Sequence, residues 1–243
     1  MRNLLILSLL LVCFACKPDA PADEPSPITM PAPQKITIKA GQNNGVPLAL
    51  PPRGQSPRSA APNDLNGDGE TDRLEVVTTG RATDGLGFER ELVVYTGEGA
   101  DLDAWYTATG VVLPTAHGGM MGDPLESVAI ENGAIVVKHF GGSRTKWRYT
   151  HRFRWQNGDF QLIGTTVENI DPCNELTTLD YNLSTGKGIY TTVTQDCAES
   201  ESNPKESTTT VDFSKRIPAM SMNGFKTGEQ EFTAAEVEGT VYY

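Results

Sequence analysis

Apolar residues recur at every second position through much of the chain beyond residue 63. Over residues 147–155, Trp, Tyr, His, Phe and Trp alternate with Arg, Thr, Arg and Arg, so that one face of a strand would pack and the other would meet water. We expect the basic face to be a solvated surface that pairs with acidic residues, and a docking stripe is the alternative. Since no stretch keeps a helical apolar period, the pattern predicts an all-β fold.

Two Asn-Gly pairs, at residues 132–133 and 157–158, each separate two apolar runs. Asn-Gly in this setting is a strong signal for a two-residue hairpin turn. Further runs at 177–183 and 188–194 flank the polar segment 184–187. Together with a last run at 208–213, they predict an antiparallel meander within one β domain over residues 63–243.

Residues 1–15 have the features of an export signal, with a basic residue before an apolar run about half the length of a membrane-spanning helix. We expect cleavage before Cys16, with lipidation of Cys16 as a membrane anchor. Cys13 stands where a bacterial lipobox prefers Leu, so an ordinary secretory signal is the alternative. Lys17 favours an outer-membrane location in the cell envelope, facing the periplasm or the surface.

Residues 16–62 hold eleven of the sixteen prolines of the chain. Such a composition is typical of an extended tether. Two short apolar runs, at 36–38 and 46–50, lie within it. They either belong to the extended tether or dock on the domain as strands.

The formal net charge of −11 predicts repulsion from nucleic acid and attraction to cationic partners. Only two of the four cysteines, Cys173 and Cys197, lie in the part expected to fold. In an oxidising compartment we expect them to form a disulfide, and two buried free thiols are the alternative.

One segment, residues 64–72, carries metal-binding chemistry. Its oxygen-bearing side chains stand at alternate positions around glycines, and Ca²⁺ takes about six to eight oxygen ligands that such a loop supplies. The expected ligands are the side chains of Asp64, Asn66, Asp68 and Asp72 and the carbonyl of Glu70. Glu75 matches the twelfth position of the helix-flanked version of this loop, but a strand pattern follows here. A structural Ca²⁺ site is the prediction, and a metal-free turn is the alternative.

The three histidines, His117, His139 and His151, belong to no arrangement typical of a catalytic or zinc site. His151 is part of the packed aromatic row. His117 and His139 lie near glycine-rich loops, where a hydrolase would need one of them to converge with Asp123 or Glu126. We therefore expect no enzyme, and rank a hydrolase third among the functional classes.

Several segments of the chain resemble a widespread family of small bacterial envelope lipoproteins. They are the calcium turn and residues 122–127, 139–143, 153–158, 162–164 and 178–186, which together span about residues 60–195. The turn itself resembles those of integrin-type β-propeller repeats. The resemblance implies a propeller-like β domain with bound calcium. The chain is also similar to periplasmic immunity lipoproteins, which inhibit lysozyme-like effectors delivered by type IV secretion systems.

The resemblance implies a non-enzymatic inhibitor of a lysozyme-like peptidoglycan hydrolase. In such inhibitors an exposed aromatic side chain plugs the hydrolase cleft, and the candidates here are Tyr181 and the loop from His117 to Asp123. For Tyr181, cross-strand packing is the alternative. The second functional class is a glycan-binding or surface-adhesion module. An aromatic platform in a groove would favour glycan binding, and a protruding loop would favour inhibition.

Overall fold

The computed structural model describes the backbone of residues 35–37 and, in full, residues 63–97, 102–198 and 204–243. Cys16, the predicted export signal and the apolar run at 46–50 lie outside the described residues. The strands are β1 (Lys35–Thr37), β2 (Arg73–Thr83), β3 (Gly87–Thr96), β4 (Asp103–Thr109), β5 (Leu125–Glu131), β6 (Ala134–Gly142), β7 (Lys146–Gln156), β8 (Asp159–Asp171), β9 (Glu175–Asn182), β10 (Lys187–Asp196), β11 (Lys205–Ser214), β12 (Glu231–Phe232) and β13 (Val241–Tyr242). Within the described ranges the helical content is one 3₁₀ turn, Met222–Gly224, and no helix there has the length and apolarity to cross a membrane.

The described strands form three antiparallel sheets. The first has the order β1-β2-β3-β4, the second runs from β11 to β5 in unbroken sequence order, and β12 pairs with β13. The prediction of an all-β antiparallel meander is therefore confirmed. A propeller-like arrangement is not seen in the described ranges. Propeller blades are four-stranded sheets around a channel, whereas β5–β11 continue as one seven-stranded sheet.

Both predicted Asn-Gly hairpins are present. Asn132 and Gly133 join β5 to β6 with φ angles of 52° and 68°, and Asn157 and Gly158 join β7 to β8 with φ angles of 57° and 81°. Positive φ at both central residues defines the turn whose twist matches that of the flanking strands. These two dipeptides therefore set the register of four neighbouring strands.

The alternating row on β7 packs as its pattern predicts. The rings of Trp147 and Tyr149 lie 4.9 Å apart, that of His151 lies 5.8 Å from Tyr149, and His151 and Phe153 are fully buried. On the opposite face, Arg148 forms ion pairs with two glutamates, at 2.7 Å to Glu168 and 3.4 Å to Glu126. The expectation of a basic face paired with acidic residues is thus confirmed for Arg148.

Residues near the N-terminus add a strand to the first sheet. The backbone of Lys35–Thr37 pairs antiparallel with β2, with Ile36 opposite Val76. The docking alternative therefore holds for the first of the two apolar runs in the expected tether.

Cys173 and Cys197 form a disulfide, with their Cα atoms 5.2 Å apart. The bond joins the turn after β8 to the end of β10, so the predicted pairing is confirmed. Closing a loop of this size stabilises the fold by about 3 kcal/mol in the chain-entropy account.

The C-terminal segment 215–243 covers one face of the seven-stranded sheet. Phe225 contacts the ring of His151 at 4.8 Å, and Phe232 contacts that of Tyr181 at 4.9 Å. Other fully or nearly fully buried side chains of this segment are Met222, Val237, Val241 and Tyr243. Burying each large apolar side chain contributes roughly 1.5–3 kcal/mol, so this irregular segment is an integral part of the core.

The two large sheets pack against each other near the C-terminal end of β7. Trp105 of β4 contacts the rings of Trp155 and Phe160 at 4.5 and 5.2 Å. Beside them, the Tyr106 hydroxyl donates a hydrogen bond of 2.7 Å to Asp159. These contacts fix the position of the first sheet, and of the loop that follows it, against the second.

Candidate functional site

The segment from Asn63 to Asp72, here named the aspartate turn, precedes β2 and is closed on itself. The Asp72 backbone N–H donates to the Asn63 carbonyl at 3.1 Å, and the Leu65 N–H donates to the Asp72 carboxylate at 2.6 Å. The Asp64 carboxylate accepts from the N–H groups of Gly67 and Gly69 at 2.6 and 2.9 Å. Both glycines have positive φ, which a side chain would strain, so the sequence folds locally into this turn.

Three carboxylates of the aspartate turn lie close enough to influence one another. A hydrogen bond from the Glu70 backbone N–H holds the pKa of Asp68 below its ordinary value. Burial raises the pKa of Asp72, and the charges of Asp68 and Asp64 raise it further. Asp72 is 1% exposed, and its Oδ1 atom has no hydrogen-bond partner among the described residues. A buried carboxylate in this state is costly unless a cation compensates it.

The aspartate turn supplies oxygen atoms of the kind that bind a hard cation such as Ca²⁺. Their side chains do not surround a common point at which a cation would sit. No group of three or more His, Cys, Asp or Glu side chains in the described part of the chain is placed to hold a metal ion. The Asp64 and Asp68 oxygens instead accept hydrogen bonds from the turn's own N–H groups, and the Asn66 amide donates to Asp68 at 2.6 Å. The fit to Ca²⁺ therefore rests on the buried Asp72 oxygen and on the all-oxygen donor set.

Glu75, at the twelfth position of the pattern, lies buried on β2, 3.7 Å from the guanidinium of Arg73. A strand, rather than the second helix of a helix-flanked calcium loop, follows the turn. The prediction that a strand, and not a helix, follows the turn is therefore confirmed.

The segment from His117 to Asp123, here named the methionine loop, belongs to the connection between β4 of the first sheet and β5 of the second. Its backbone is tied across its base, where the Gly118 N–H donates to the Gly122 carbonyl and the Gly142 N–H donates to the Gly118 carbonyl, each at 2.9 Å. A Cβ atom on Gly118 would overlap the Gly122 carbonyl, so this closure requires glycine. At the tip, Met120 and Met121 are 86% and 47% exposed.

The loop is anchored at Asp123. Arg90 of β3, which is almost completely buried, donates two hydrogen bonds to the Asp123 carboxylate, one of them 2.7 Å long. Partial burial acts to raise the pKa of Asp123, but the hydrogen bonds from Arg90 and from the Leu125 N–H outweigh it, so this pKa lies below its ordinary value. Asp123 is therefore an anchor of the loop as well as part of its surface.

His139 lies close enough to Asp123 and to His117 for their charges to act on its pKa. His139 is fully buried, its Nε2 accepts a hydrogen bond of 3.2 Å from the Leu113 N–H, and burial lowers its pKa to about 3. His117 is half-buried, and burial lowers its pKa also. In the described ranges neither histidine hydrogen-bonds to Asp123 or Glu126.

Tyr181 is not an exposed plug, so that expectation was wrong and the packing alternative is correct. Its ring is fully buried against Phe213 and Phe232, at 5.4 and 4.9 Å. Its hydroxyl donates to the Lys215 carbonyl. The C-terminal segment covers this residue, and no short sequence motif signals that cover.

A cleft of about 600 Å³ lies beside the methionine loop. Its lining includes His117 of the loop, Trp147 and Tyr149 of β7, and Asn223, Lys226 and Glu229 of the C-terminal segment. Sequence reasoning placed Trp147 and Tyr149 in the packed row and gave the C-terminal residues no role. The alternation on β7 identified the aromatic pair, but nothing local indicates that these elements meet.

Neither a protein family model, nor a curated protein, nor a solved structure was found to match this chain. The resemblance to envelope lipoproteins and their immunity proteins therefore stays a prediction.

Proposed function

We propose that this protein is a non-enzymatic, calcium-stabilised lipoprotein of the bacterial envelope whose methionine loop docks on a protein partner. The partner that the resemblance to immunity lipoproteins implies is a lysozyme-like peptidoglycan hydrolase, which the protein would inhibit. The observation that carries the proposal is the exposure of Met120 at the tip of a loop whose base is closed by hydrogen bonds.

An exposed apolar side chain at a fixed position supports binding by a simple energetic argument. Burying it in a partner's pocket contributes roughly 1.5–3 kcal/mol. Since the loop backbone is already tied at Gly118 and anchored at Asp123, docking orders few additional groups, and ordering is a main cost of association. Methionine also adapts its shape to apolar surfaces, so it serves here in place of the aromatic residue that the resemblance implied.

The charge of the chain supports a cationic partner. A net charge of −11 accelerates association with a positively charged protein through long-range attraction. Enzymes that approach anionic cell walls gain from being cationic, so an acidic inhibitor is electrostatically complementary to them. An anchor at Cys16 would hold the protein at the membrane, where it would meet hydrolases that act in the envelope.

Calcium supports the function indirectly in this proposal. The aspartate turn would hold Ca²⁺ through the side chains of Asp64, Asn66, Asp68 and Asp72 and the Glu70 carbonyl. The ion would compensate the buried Asp72 carboxylate and fix the start of β2. Because every ligand comes from one turn, the site is structural, and it would stabilise the fold wherever free Ca²⁺ exceeds the dissociation constant.

The test of the proposed function is inhibition of a panel of lysozyme-type hydrolases by the purified chain and by Met120→Asp. A charge placed at an apolar contact should weaken binding of the inhibited enzyme by at least about tenfold, while thermal stability stays unchanged because the Met120 side chain is 86% exposed. Ile189→Asp is the matched control, since Ile189 is also exposed but lies on the seven-stranded sheet. Absence of inhibition across the panel, or equal inhibition by Met120→Asp, would refute the proposal.

A further inference from the structure

We propose that the cleft beside the methionine loop is a second binding site, and that its ligand is an uncharged carbohydrate. Its volume of about 600 Å³ lies within the range of small-molecule sites, about 300–1,000 Å³. The site is independent of the exposed methionines, which are not part of its lining.

An aromatic pair forms one wall of the cleft. Trp147 and Tyr149 lie on the same face of β7, with ring centroids 4.9 Å apart and planes inclined by 29°. The indole lies over Gly141 of the neighbouring strand, where any Cβ atom would overlap it. Such rings combine an apolar surface with a polar group at one end. A sugar ring, with apolar C–H groups and peripheral hydroxyls, has the complementary chemistry.

Four polar groups of the lining make no hydrogen bond to another described residue. They are the Trp147 indole N–H, the Tyr149 hydroxyl, the Thr109 hydroxyl and the Asn223 amide. Thr109 and Asn223 are exposed, and Trp147 and Tyr149 are partly exposed, so these four groups are available to a ligand or to water. All four can donate through N–H or O–H groups, and three of them can also accept through hydroxyl or amide oxygens. This matches sugar hydroxyls, which both donate and accept.

The charges of the cleft are balanced in pairs. Lys226 and Glu229 form an ion pair at 3.3 Å, Arg81 hydrogen-bonds to Glu89, and Arg90 is paired with Asp123. His117 is neutral at pH 7, because burial lowers its pKa. An ionic ligand would have to give up hydration without gaining an unpaired counter-charge, whereas an uncharged ligand loses little. The cleft thus favours a neutral ligand although the chain as a whole carries −11.

The experiment titrates the purified full chain with four tetrasaccharides and follows binding by calorimetry and tryptophan fluorescence. N-acetylglucosamine and cellulose oligomers are the neutral probes, and galacturonate and glucosamine oligomers are the charged ones. We expect at least one neutral probe to bind at millimolar concentration or below, at least about tenfold more tightly than either charged probe.

Two variants locate the binding. Trp147→Ala should weaken it at least about tenfold, and Tyr149→Phe, which removes one hydroxyl and keeps the ring, should weaken it by about two- to tenfold. Tyr242→Ala is the control, because Tyr242 is an exposed aromatic residue of β13 that is not part of the cleft lining. No binding of either neutral probe, tighter binding of a charged one, or wild-type affinity in Tyr149→Phe would overturn the proposal.

The outcome is separable from that of the proposed function. Met120→Asp should leave carbohydrate affinity unchanged, whereas Tyr149→Phe should leave hydrolase inhibition unchanged. Carbohydrate binding without inhibition would refute the proposed function alone, and inhibition without carbohydrate binding would refute the second site alone.

Discussion

The buried guanidinium of Arg90 on β3 donates two hydrogen bonds to the carboxylate of Asp123, 33 residues further along the chain. The Asp123 side chain is half exposed, while that of Arg90 is 2% exposed. This pair fastens the root of the methionine loop to the first sheet. The rigidity of the exposed tip therefore depends on a contact far from it in sequence.

Asp123→Asn should loosen that attachment. The buried Arg90 charge would lose its counter-ion, and we expect a loss of about 1–3 kcal/mol in the free energy of unfolding, with faster amide hydrogen exchange in residues 117–123. Urea unfolding and hydrogen exchange measure these two effects. Glu131→Gln is the control, since its ion pair with Lys138 is solvent-exposed and contributes about 0–1 kcal/mol. Equal effects of the two substitutions would contradict the anchoring role.

Calcium should raise the thermal stability of the domain. With free Ca²⁺ at about a hundred times the dissociation constant, the gain is about 2.7 kcal/mol, or about 5–10 °C in Tm for a domain of this size. Thermal unfolding in calcium and in chelator measures it. Asp72→Asn should abolish the response and, in chelator, be at least as stable as the natural chain, because a buried carboxylate is removed. The control Asp84→Asn, in the exposed β2–β3 turn, should respond as the natural chain does.

The buried histidines should make the fold acid-sensitive. Burial lowers the pKa of His139 to about 3, and that of His151 well below its ordinary value. As the pH falls below about 6.5, the unfolded chain takes up protons that the folded chain does not, so stability falls with pH, by about 1.4 kcal/mol per unit for each histidine. The loss from His139 continues down to about pH 3.

His151→Phe should remove part of that sensitivity. Neither ring nitrogen of His151 has a hydrogen-bond partner in the described ranges, and the ring packs against Phe225 and Tyr149. A phenyl ring preserves this packing without a protonation site. Urea unfolding between pH 4 and 7 should show a shallower dependence for the variant, and an unchanged slope would contradict this account.

Gly141→Ala should be destabilising although β6 is otherwise regular there. The added methyl group would overlap the Trp147 indole, and overpacking of this kind costs about 1–3 kcal/mol. Gly164→Ala in β8 is the matched control, because the nearest atom to its Cβ position, the Tyr181 carbonyl oxygen, is 3.6 Å away. Chemical unfolding should separate the two variants, and the fluorescence of Trp147 should change in the first alone.

Loss of the disulfide should lower stability without changing the fold. Cys173→Ser combined with Cys197→Ser should cost about 3 kcal/mol in the free energy of unfolding, with the circular dichroism of the folded state preserved. Reduction of the natural chain by dithiothreitol should produce the same change. If the reduced chain were as stable as the oxidised one, the disulfide would contribute nothing to the free energy of unfolding.

Several features were determined by the sequence alone, because each is encoded within a few neighbouring residues. The two-residue alternation on β7, the Asn-Gly turns and the glycines of the aspartate turn set local backbone geometry. They were sufficient to predict an antiparallel meander, its hairpins and the side chains on each face of a strand. The pairing of Cys173 with Cys197 was predicted from their number and from the expected export of the chain.

Other features were decided by tertiary structure, because they join residues that no local pattern relates. Seven consecutive strands continue as one sheet, where the resemblance implied propeller blades. The C-terminal segment, which lacks any periodic pattern, folds over Tyr181 and buries it. The cleft likewise brings Trp147 together with Lys226 and His117. Burial of apolar surface from distant parts of the chain fixes these contacts. Which residues meet therefore depends on the packing of the whole domain.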